Sequence, residues 1–386
     1  MQDEPPPDGS TPLVQHCHRG TCRMSHLPMG AHSLSNIATG CGGKVKKHLV
    51  KTTLIKPDQD SNATLPVISS LVYCESNALD RAATEAGGGS GFIGTALTNL
   101  LRTNGYGVTI VSRMPGPQRI SWSDLAKFGL PQNVTAVVNL AGQNVLDVTK
   151  RWTPGFKQNV WASRINTTSS LAQAINKAEN KPMVFVTISG VESVAILECV
   201  GIYKPSPDIE YTEDSLVQEF DFLSKLCHEW EGAARLPQNL GVRQVVIRSG
   251  VVLGKNGGMV KQLYIPFYLG LGGPVGSGKQ YMPWIHIDDL TNLLLFAIQK
   301  KDVKGVLNGV APEIVTNKEF SQAFGRALWR PALIPLPEFV VNTAFSEERA
   351  KIMTEGQRVV PKRTLSYGFH YMYPDIETAC KNIVNQ

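Results

Sequence analysis

Three glycines at a regular spacing, Gly88, Gly91 and Gly94, are the first feature of this 386-residue sequence that could do chemistry. At this spacing the first glycine allows a tight turn, the second lets a phosphate approach the backbone, and the third lets a helix touch a strand. Phe92 and Ile93 stand between the last two glycines, and an amphipathic helical pattern follows them. The loop therefore predicts a dinucleotide site in which backbone N–H groups face a pyrophosphate.

Ser112 and Arg113 follow the next apolar run, VTIVS, and could select between the two nicotinamide dinucleotides. Folds that bind NAD usually place an acidic residue here, against the ribose 2′-hydroxyl. A serine hydroxyl beside a guanidinium supplies hydrogen-bond donors and positive charge for a 2′-phosphate instead. The pair therefore predicts NADP as the cofactor, and the alternative is that Arg113 is an ordinary surface arginine.

Strand-like runs rich in Val and Ile alternate along the chain with helical segments of ten or more residues. Such alternation predicts right-handed βαβ crossovers, and therefore a parallel sheet that helices cover on both faces. We expect an α/β fold with a doubly wound, Rossmann-like sheet and a smaller mixed C-terminal lobe. The strand-like runs are residues 108–112, 136–142, 183–189 and 244–254, and the helical segments are 95–106, 163–178 and 219–236.

Composition divides the chain into three predicted parts. Residues 1–85 carry scattered Pro, Ser, Gly and His with hardly any periodicity, and they are predicted to be a largely disordered leader that is foreign to the rest of the chain. Residues 86–254 are predicted to form the NADP-binding core, interrupted by the apolar segment 191–199. Residues 255–386 are predicted to form a substrate lobe and a helical C-terminal region, partly interleaved with the core.

No strand stands directly before the glycine loop, because charged residues interrupt the sequence NALDRAATE. One explanation is an alternative start or splice form, which the insertion-like segment VESVAILEC (191–199) favours, since one irregular transcript would account for both features. The other is that LPVISSLVYC (65–74) supplies the strand through a loop of about a dozen residues, which is long for such a connection.

Bulk properties exclude several classes of function. The net charge of +6 is mild, and no basic block is interleaved with aromatic residues, so nucleic-acid binding is not expected. No apolar run is long enough to span a membrane, and the start MQDEPPPDGS is unlike a targeting peptide. Seven cysteines at irregular spacings indicate a reducing compartment, and HCHRGTC (16–22) is interpreted as solvated tail and not as a metal site. An intracellular, cytoplasmic protein is expected, with organellar targeting left open.

The order of the motifs resembles the extended branch of the short-chain dehydrogenase/reductase superfamily. This resemblance rests on GGGSGFIG, on SR after the second strand, on NLAG (139–142) and on SRINTT in the next helix. RSGVVLG, PFYLGLGGPVGSG and PWIHIDDL are similar to the atypical, epimerase-like family 39U of the NAD(P)-dependent epimerases and dehydratases. The resemblance runs from Gly87 nearly to the C-terminus.

The resemblance implies an NADP-binding fold whose C-terminal lobe closes over a substrate cleft. It also implies a longer cofactor surface than the glycine loop alone would provide. For Arg164 the alternative is a place on a solvated helix face. The additional cofactor-binding residues that the resemblance implies are Leu140, Ala141, Asn159, Arg164 and Val252.

The catalytic residues are less well defined. Enzymes of the extended branch generally use a tyrosine as acid and base, with a lysine four residues later on the same helix face. The two possible alignments supply instead Asp221 with Lys225, or Leu223 with Cys227. Neither alignment supplies a tyrosine and a lysine together, so standard tyrosine–lysine chemistry is not expected.

Two further residues are candidates by resemblance. Ser189 ends a predicted strand and resembles the superfamily's substrate-orienting serine. Tyr203 resembles a family tyrosine, but the inserted segment would displace it, which favours an ordinary surface-loop tyrosine. His286 and Asp289 are interpreted as a strand-to-helix turn, with Asp289 as the helix cap and Trp284 packed under the cleft.

These observations predict an NADP-dependent oxidoreductase or epimerase-like protein that transfers hydride on a small hydroxyl or carbonyl substrate, of a sugar type by analogy with the family. The alternative is a non-catalytic NADP-binding sensor or scaffold, which the missing tyrosine–lysine pair favours. The expected partner is a small-molecule substrate, without nucleic acid or membrane. The sequence does not indicate an oligomeric state.

Overall fold

The computed structural model describes residues 14–18, 21–25, 66–70, 91–112, 116–143, 151–190, 201–345 and 347–386. The chain divides into two compact units, Met1–Ser61 and Asn62–Gln386. In the first unit, β1 (Val14–His18) pairs antiparallel with β2 (Thr21–Ser25). This hairpin, which contains the HCHRGTC segment, was not anticipated from the sequence. All further elements belong to the second unit.

A seven-stranded sheet, parallel at every pairing, is the centre of the second unit and confirms the predicted α/β class. The strands at Ala136–Asn139 and Val184–Ser189 are buried at every position and rich in Val, as expected for a parallel sheet with both faces covered. The seven strands are β3 (Pro66–Ser70), β4 (Gly107–Ser112), β5 (Arg119–Ser121), β6 (Ala136–Asn139), β7 (Val184–Ser189), β9 (Arg243–Ser249) and β12 (Gly305–Gly309). The spatial order is β12-β9-β7-β6-β3-β4-β5.

The strand that the glycine loop lacks comes from the LPVISSLVYC segment. β3 lies between β4 and β6, with Val67 opposite Val108 on one side and Ala136 on the other. The strand is therefore supplied from a distance by residues of the LPVISSLVYC segment, which was the explanation that the sequence favoured less. β3 lies upstream of the predicted boundary at residue 86. The division into three domains stays a prediction. The splice-form origin of the leader also stays a prediction, since the segment 191–199 lies outside the described residues.

The order of the strands creates a switch point between β3 and β6. The chain runs outward from β3 to β4 and β5, then returns to the other side of β3 and continues through β6, β7, β9 and β12. In open sheets of this kind, ligands bind outside the carboxyl ends of the strands at such a switch point. The fold therefore places the candidate site at the carboxyl edge of β3, β6 and β7.

Helices cover both faces of the sheet. On one face α1 and α6 pack together, and Leu97, Leu101 and Leu290 meet strand residues such as Val138 and Val186 in a dry core. On the other face α3 contributes to a second core with the opposite sides of the strands. The helices that flank the sheet are α1 (Phe92–Thr103), α2 (Trp122–Phe128), α3 (Pro154–Lys177), α4 (Phe222–Ala233) and α6 (Ile287–Gln299), with a 3₁₀ turn at Gln238–Leu240.

The C-terminal lobe has its own core, in which Trp284 is fully buried beside Phe320 and Phe324. The chain enters it from the main sheet and returns to that sheet at α6 and β12. Its strands form two parallel pairs, β10 (Val251–Gly254) with β11 (Trp284–His286) and β8 (Ser206–Tyr211) with β13 (Gln357–Val359). Its helices are α5 (Gly258–Tyr268), α7 (Asn317–Ala327), α8 (Glu338–Phe345), α9 (Glu347–Thr354), α10 (Lys362–Ser366) and α11 (Ile376–Asn385).

Phe92, the first residue of α1, anchors that helix to the lobe. Its ring lies against the glycine-rich turn between β10 and α5, where a Cβ on Gly257 would come within 2.4 Å of the ring and a Cβ on Gly254 within 2.6 Å. No larger residue fits at these positions without movement. The turn therefore needs glycine for space, and the contact fixes the direction in which the start of α1 points.

Replacing Gly257 by Ala should destabilise the protein by about 1–3 kcal/mol, because overpacking forces Phe92 or the turn to move. Gly232→Ala is the matched control, since a Cβ at Gly232 meets nothing within 4 Å and alanine is favoured in the helix. Urea unfolding of the two variants measures the difference. A Gly257→Ala variant as stable as the wild type would show that the Phe92 contact does not constrain the turn.

Candidate functional site

Four buried polar residues mark the carboxyl edge of the sheet. Asn139 ends β6, Ser189 ends β7, Arg248 is the penultimate residue of β9, and Asn308 is the penultimate residue of β12. All four side chains are buried. Since buried polar groups are costly unless they are paired, the partners of each one indicate whether it supports the fold or is available to a ligand.

The start of α1 offers backbone N–H groups to an anion. Gly91 occupies the N-cap position, no side chain caps the helix, and no acidic residue stands in its first turn. The first N–H groups of a helix have no partner within the helix, and its dipole favours negative charge at this end. The predicted residues Phe92, Ile93 and Gly94 form this turn, whereas Gly88 lies outside the described residues.

The residues predicted for the 2′-phosphate are described only in part. Ser112 is the last residue of β4, half-buried, and lies opposite Ser121 of β5. Arg113 lies outside the described residues. The assignment of this pair therefore stays a prediction.

Asn139 shapes the NLAG turn that follows β6. Its side-chain oxygen accepts a hydrogen bond from the Ala141 N–H at 3.0 Å, and its amide donates to the Thr168 hydroxyl at 2.7 Å. The indole N–H of Trp230 donates to the same hydroxyl at 2.9 Å. Leu140 and Ala141 are consequently held fully buried at the edge of the switch point.

Arg164 on α3 is fully buried, so the alternative of a solvated helix face is wrong. Its guanidinium donates to the Gln143 carbonyl at 2.9 Å and lies over the ring of Trp230 at 5.1 Å. Ser163 completes the contact by accepting from the Gln143 N–H at 3.0 Å. A Cβ on Gly142 would lie 3.0 Å from the guanidinium carbon. Arg164 therefore fixes the loop after β6, and direct contact with the cofactor stays a prediction.

Asn159 and Val252 complete the set that the resemblance implies. Asn159 is exposed on α3, and Val252 is half-buried on β10, where it packs against the core that α1 and α6 share. Their roles in binding stay predictions as well.

At this edge, the hydroxyl of Ser189 has no hydrogen-bond partner among the described residues. Ser189 itself is 2% exposed. Gly190 follows at φ +94°, and a Cβ there would lie 2.8 Å from the Ser249 carbonyl oxygen, so the turn is held against β9. A buried hydroxyl without a partner is costly, and a ligand oxygen at this edge would satisfy it.

Tyr203 is buried in the core and not in a surface loop, contrary to the interpretation that the sequence favoured. It is 1% exposed, and its ring stacks on Tyr211 at 4.9 Å. Its hydroxyl lies 3.0 Å from both the Thr212 carbonyl and the Asn308 side-chain oxygen, and it accepts from Arg248 at 2.9 Å. These three hydrogen-bond partners replace the water that the hydroxyl loses when it is buried. Burial raises the pKa of Tyr203 despite the nearby guanidinium, so the hydroxyl stays protonated at neutral pH.

Arg248 and Glu231 form a buried ion pair that the sequence analysis did not identify. The guanidinium binds the carboxylate through two bonds of 2.8 and 2.9 Å, which joins β9 to α4. Burial alone would lower the pKa of Arg248, but the Glu231 carboxylate outweighs it and the pKa is raised. An arginine inside the apolar run QVVIRS was the available signal, because a strand of this kind buries a charge only with a partner.

Neither alignment of the missing dyad places an acid or base in the site. Asp221 and Lys225 are exposed, and the Asp221 carboxylate caps α4 by accepting from the Ser224 N–H at 2.7 Å. Leu223 and Cys227 are buried, and burial raises the pKa of the Cys227 thiol to about 12. A thiol with this pKa stays protonated at neutral pH and is a poor base. Position 223 therefore supplies no acid or base and position 227 only a protonated thiol, whereas Glu231, one turn further along α4, is paired with Arg248.

His286 and Asp289 divide the roles differently from the sequence prediction. His286 is the cap of α6, and its Nδ1 accepts from the Asp288 N–H at 3.2 Å. Asp289 does not cap the helix: it accepts from the Met372 and Tyr373 N–H groups at 2.6 and 3.0 Å. Both side chains are fully buried, and Asp289 ties the segment before α11 to α6, as the interpretation of a structural pair expects.

Two classes of site find no support in the described part of the chain. No group of three or more His, Cys, Asp or Glu side chains there could hold a metal ion. No helix among the described residues is long and apolar enough to cross a membrane.

The pKa values of His286 and Asp289 give opposite dependences of stability on pH. Burial lowers the pKa of His286 to about 4 from 6.5, so the unfolded chain binds this proton first and acidification below pH 6.5 costs stability. Burial raises the pKa of Asp289 to about 6 from 3.8, so the folded chain binds that proton first and acidification below pH 6 adds stability.

Single substitutions should separate the two contributions. In Asp289→Asn, the free energy of unfolding should fall more steeply on acidification than in the wild type, because His286 acts alone. In His286→Asn, where asparagine can still cap the helix, it should fall less steeply or rise. Urea unfolding at about pH 7 and about pH 4.5 measures the slopes. Three parallel pH profiles would contradict the assignment.

Comparisons with known proteins agree with this geometry. Residues 87–308 match the NAD dependent epimerase/dehydratase family, and residues 336–383 match a domain of unknown function, DUF1731. The chain is 51% identical over 299 residues to the bovine epimerase family protein SDR39U1, covering 77% of this chain and 98% of that protein. It is 35% identical over 332 residues to the Arabidopsis thaliana homologue named as chloroplastic, covering 81% of this chain and 90% of that protein.

A solved structure shares the whole fold of the second unit. The crystal structure of human epimerase family protein SDR39U1, isoform 2, with NADPH is 47% identical, has a TM-score of 0.75, and covers 83% of this chain and 99% of that chain. The resemblance drawn from the motifs is thereby confirmed. On the family match and these identities, the chain belongs to the NAD-dependent epimerase/dehydratase family, with the SDR39U1 epimerase family proteins among its relatives.

Proposed function

We propose that this protein binds NADP(H) at the switch point between β3 and β6 and uses it for hydride transfer on a small hydroxyl or carbonyl substrate. The observation that carries the proposal is the unused Ser189 hydroxyl, buried at the carboxyl edge of β7. Membership of the NAD-dependent epimerase/dehydratase family and the human relative solved with NADPH support the choice of cofactor.

The residues present fit a dinucleotide phosphate. No side chain caps the first turn of α1 and no acidic side chain stands in it, and Phe92 at its start lies against Gly257. Arg164 and Ser163 hold Gln143, at the start of the loop after β6, through its carbonyl and its N–H. A backbone that is already ordered before a phosphate binds loses little conformational entropy on binding.

When bound, NADPH would supply a hydride to a substrate carbonyl carbon while water supplied the proton to its oxygen, or NADP would accept a hydride from a carbinol whose hydroxyl proton passed to water. The Ser189 hydroxyl would donate a hydrogen bond to the substrate oxygen and so orient it. Tyr203 does not serve as the acid, because Thr212, Asn308 and Arg248 already engage its hydroxyl. Its role is to accept a hydrogen bond from Arg248 and so to hold that side chain at the edge of the sheet. A sugar-type substrate stays an analogy with the family.

A second function, that of a non-catalytic NADP(H)-binding sensor or scaffold, is favoured by the missing dyad. Leu223 and Cys227 are buried, and Asp221 and Lys225 are exposed. A protein that only binds the cofactor needs no acid or base at these positions. Turnover distinguishes the two functions, since both require NADPH binding.

Replacing Ser189 by Ala tests the role of the hydroxyl. NADPH binding, followed by fluorescence and thermal shift, should change little, whereas reduction of an active carbonyl substrate should slow at least about tenfold, because one oriented hydrogen bond is lost. Ser170→Ala is the control, since the exposed Ser170 hydroxyl bonds only the Asn166 carbonyl of its own helix. Wild-type protein that binds NADPH but turns over no carbonyl or carbinol in a broad panel would support the sensor function.

Replacing Arg113 by Ala tests the choice between NADP and NAD. Loss of the guanidinium should weaken NADPH binding by at least about tenfold and leave NADH binding nearly unchanged, because charge-assisted bonds to a 2′-phosphate are strong. Titration of both nucleotides by fluorescence gives the ratio of dissociation constants. Equal losses for the two nucleotides would contradict the 2′-phosphate assignment.

A further inference from the structure

The C-terminal lobe carries a large exposed apolar surface that the proposed function does not use. It combines the end of α5 with residues 329–340, and we call it the lobe patch. Trp329 is 89% exposed, Leu333 78% and Phe339 70%. Tyr268 and Leu269 at the end of α5 are also more than half exposed. Exposed apolar residues are ordinary when scattered, whereas a contiguous group indicates a binding surface.

Main-chain and side-chain contacts show that the two segments are contiguous. The Ile334 N–H donates to the Gly272 carbonyl at 3.2 Å, and the Leu336 N–H donates to the Pro274 carbonyl at 2.8 Å. The Arg330 guanidinium donates to the Tyr268 carbonyl at 2.8 Å and lies over its ring at 5.2 Å. Residues 329–336 therefore run beside the chain that leaves α5, which brings the exposed residues of both segments to the same part of the lobe.

Trp329 is held outward by an unfavourable backbone conformation. It follows the last turn of α7 with φ +56°, in the left-handed region that glycine normally occupies at this place. The turn is complete, since Trp329 and Arg330 N–H groups donate to the Arg326 and Gly325 carbonyls at 3.1 and 2.9 Å. A bulky residue there is strained and gains no burial within its own chain. Such strain is typical of a position kept for binding.

The size of the lobe patch is that of a stable protein interface. Trp329, Phe339 and Tyr268 alone expose on the order of 400 Å², since an aromatic side chain offers about 150–250 Å². The aliphatic side chains around them bring the total to the order of the 800 Å² per partner of a standard interface. Monomeric proteins rarely expose a patch larger than about 600 Å².

The composition of the lobe patch favours a protein partner over a lipid surface. Trp, Tyr and Arg are the residue types that dominate binding energy at protein interfaces. Membrane-binding faces are rich in Lys and Arg, whereas the exposed charges within residues 329–340 are one Arg330 and one Glu338. One cation and one anion leave these residues without net charge, so two copies would meet there without charge repulsion.

We propose that the lobe patch is the contact between two copies of this chain in a symmetric dimer, with Trp329 at its centre. The proposal is independent of the cofactor and the reaction. It commits to a second copy because closed two-fold dimers are the commonest oligomers and need only one self-complementary surface.

Trp329→Gly gives the sharpest test, because glycine removes the indole and accepts the left-handed backbone. In sedimentation velocity and light scattering, the full-length wild type should be a dimer at micromolar concentration. The variant should dissociate at least about 30-fold more readily, as for a central interface tryptophan. Its thermal midpoint, measured where the wild type is monomeric, should be unchanged or higher.

Leu333→Asp provides a second variant, since it places a charge in the middle of the contact and should also produce monomers. Leu216→Asp is the control: Leu216 is 86% exposed outside the lobe patch, and its substitution should leave the dimer intact. A wild type that stays monomeric at about 100 µM would overturn the proposal, as would a dimer that survives both patch variants. Monomeric protein that sediments with phospholipid vesicles through Trp329 would overturn it in favour of a lipid surface.

Discussion

The ion pair between Arg248 and Glu231 is the interaction on which the rest of the site depends. It joins the end of β9 to α4, and the same guanidinium donates to the Tyr203 hydroxyl. That hydroxyl contacts Asn308 on β12, whose N–H donates to Glu213, which also accepts from the start of α10. A buried charge needs a partner, and its partner needs further hydrogen bonds, so one arginine in a strand organises a continuous polar network.

The same network engages the hydroxyl of Tyr203, one of the two catalytic candidates from the sequence. That hydroxyl is hydrogen-bonded within the network to Arg248. The helix that would present a tyrosine and a lysine buries Leu223 and Cys227 instead. Among the described residues at this edge, the Ser189 hydroxyl has no hydrogen-bond partner, and no side chain caps the start of α1. Cofactor binding and acid–base chemistry are therefore separable in this chain, since different elements provide them.

Local patterns were sufficient for four strands of the sheet and for the start of α1, but not for the β1–β2 hairpin. Runs of Val and Ile predicted β4, β6, β7 and β9, and the glycine spacing located the start of α1. Patterns failed where a role depends on residues far apart in the chain. Tyr203 looked like a loop residue because Arg248 and Asn308, which bury it, come 45 and 105 residues later. Asp289 looked like a helix cap because the N–H groups that it accepts from lie more than 80 residues away.

By itself the sequence determined the α/β class, the family and the predicted preference for NADP, because these follow from residue periodicity and from short motifs whose spacing is local. Only the tertiary structure decided which segment became the central strand. β3 occupies the central position because it pairs on both sides, opposite Val108 and opposite Ala136, although it is far from the glycine loop along the chain. The tertiary structure also decided which polar groups are hydrogen-bonded: Arg164, Arg248 and Tyr203 have partners that packing brought together, whereas the Ser189 hydroxyl has none among the described residues.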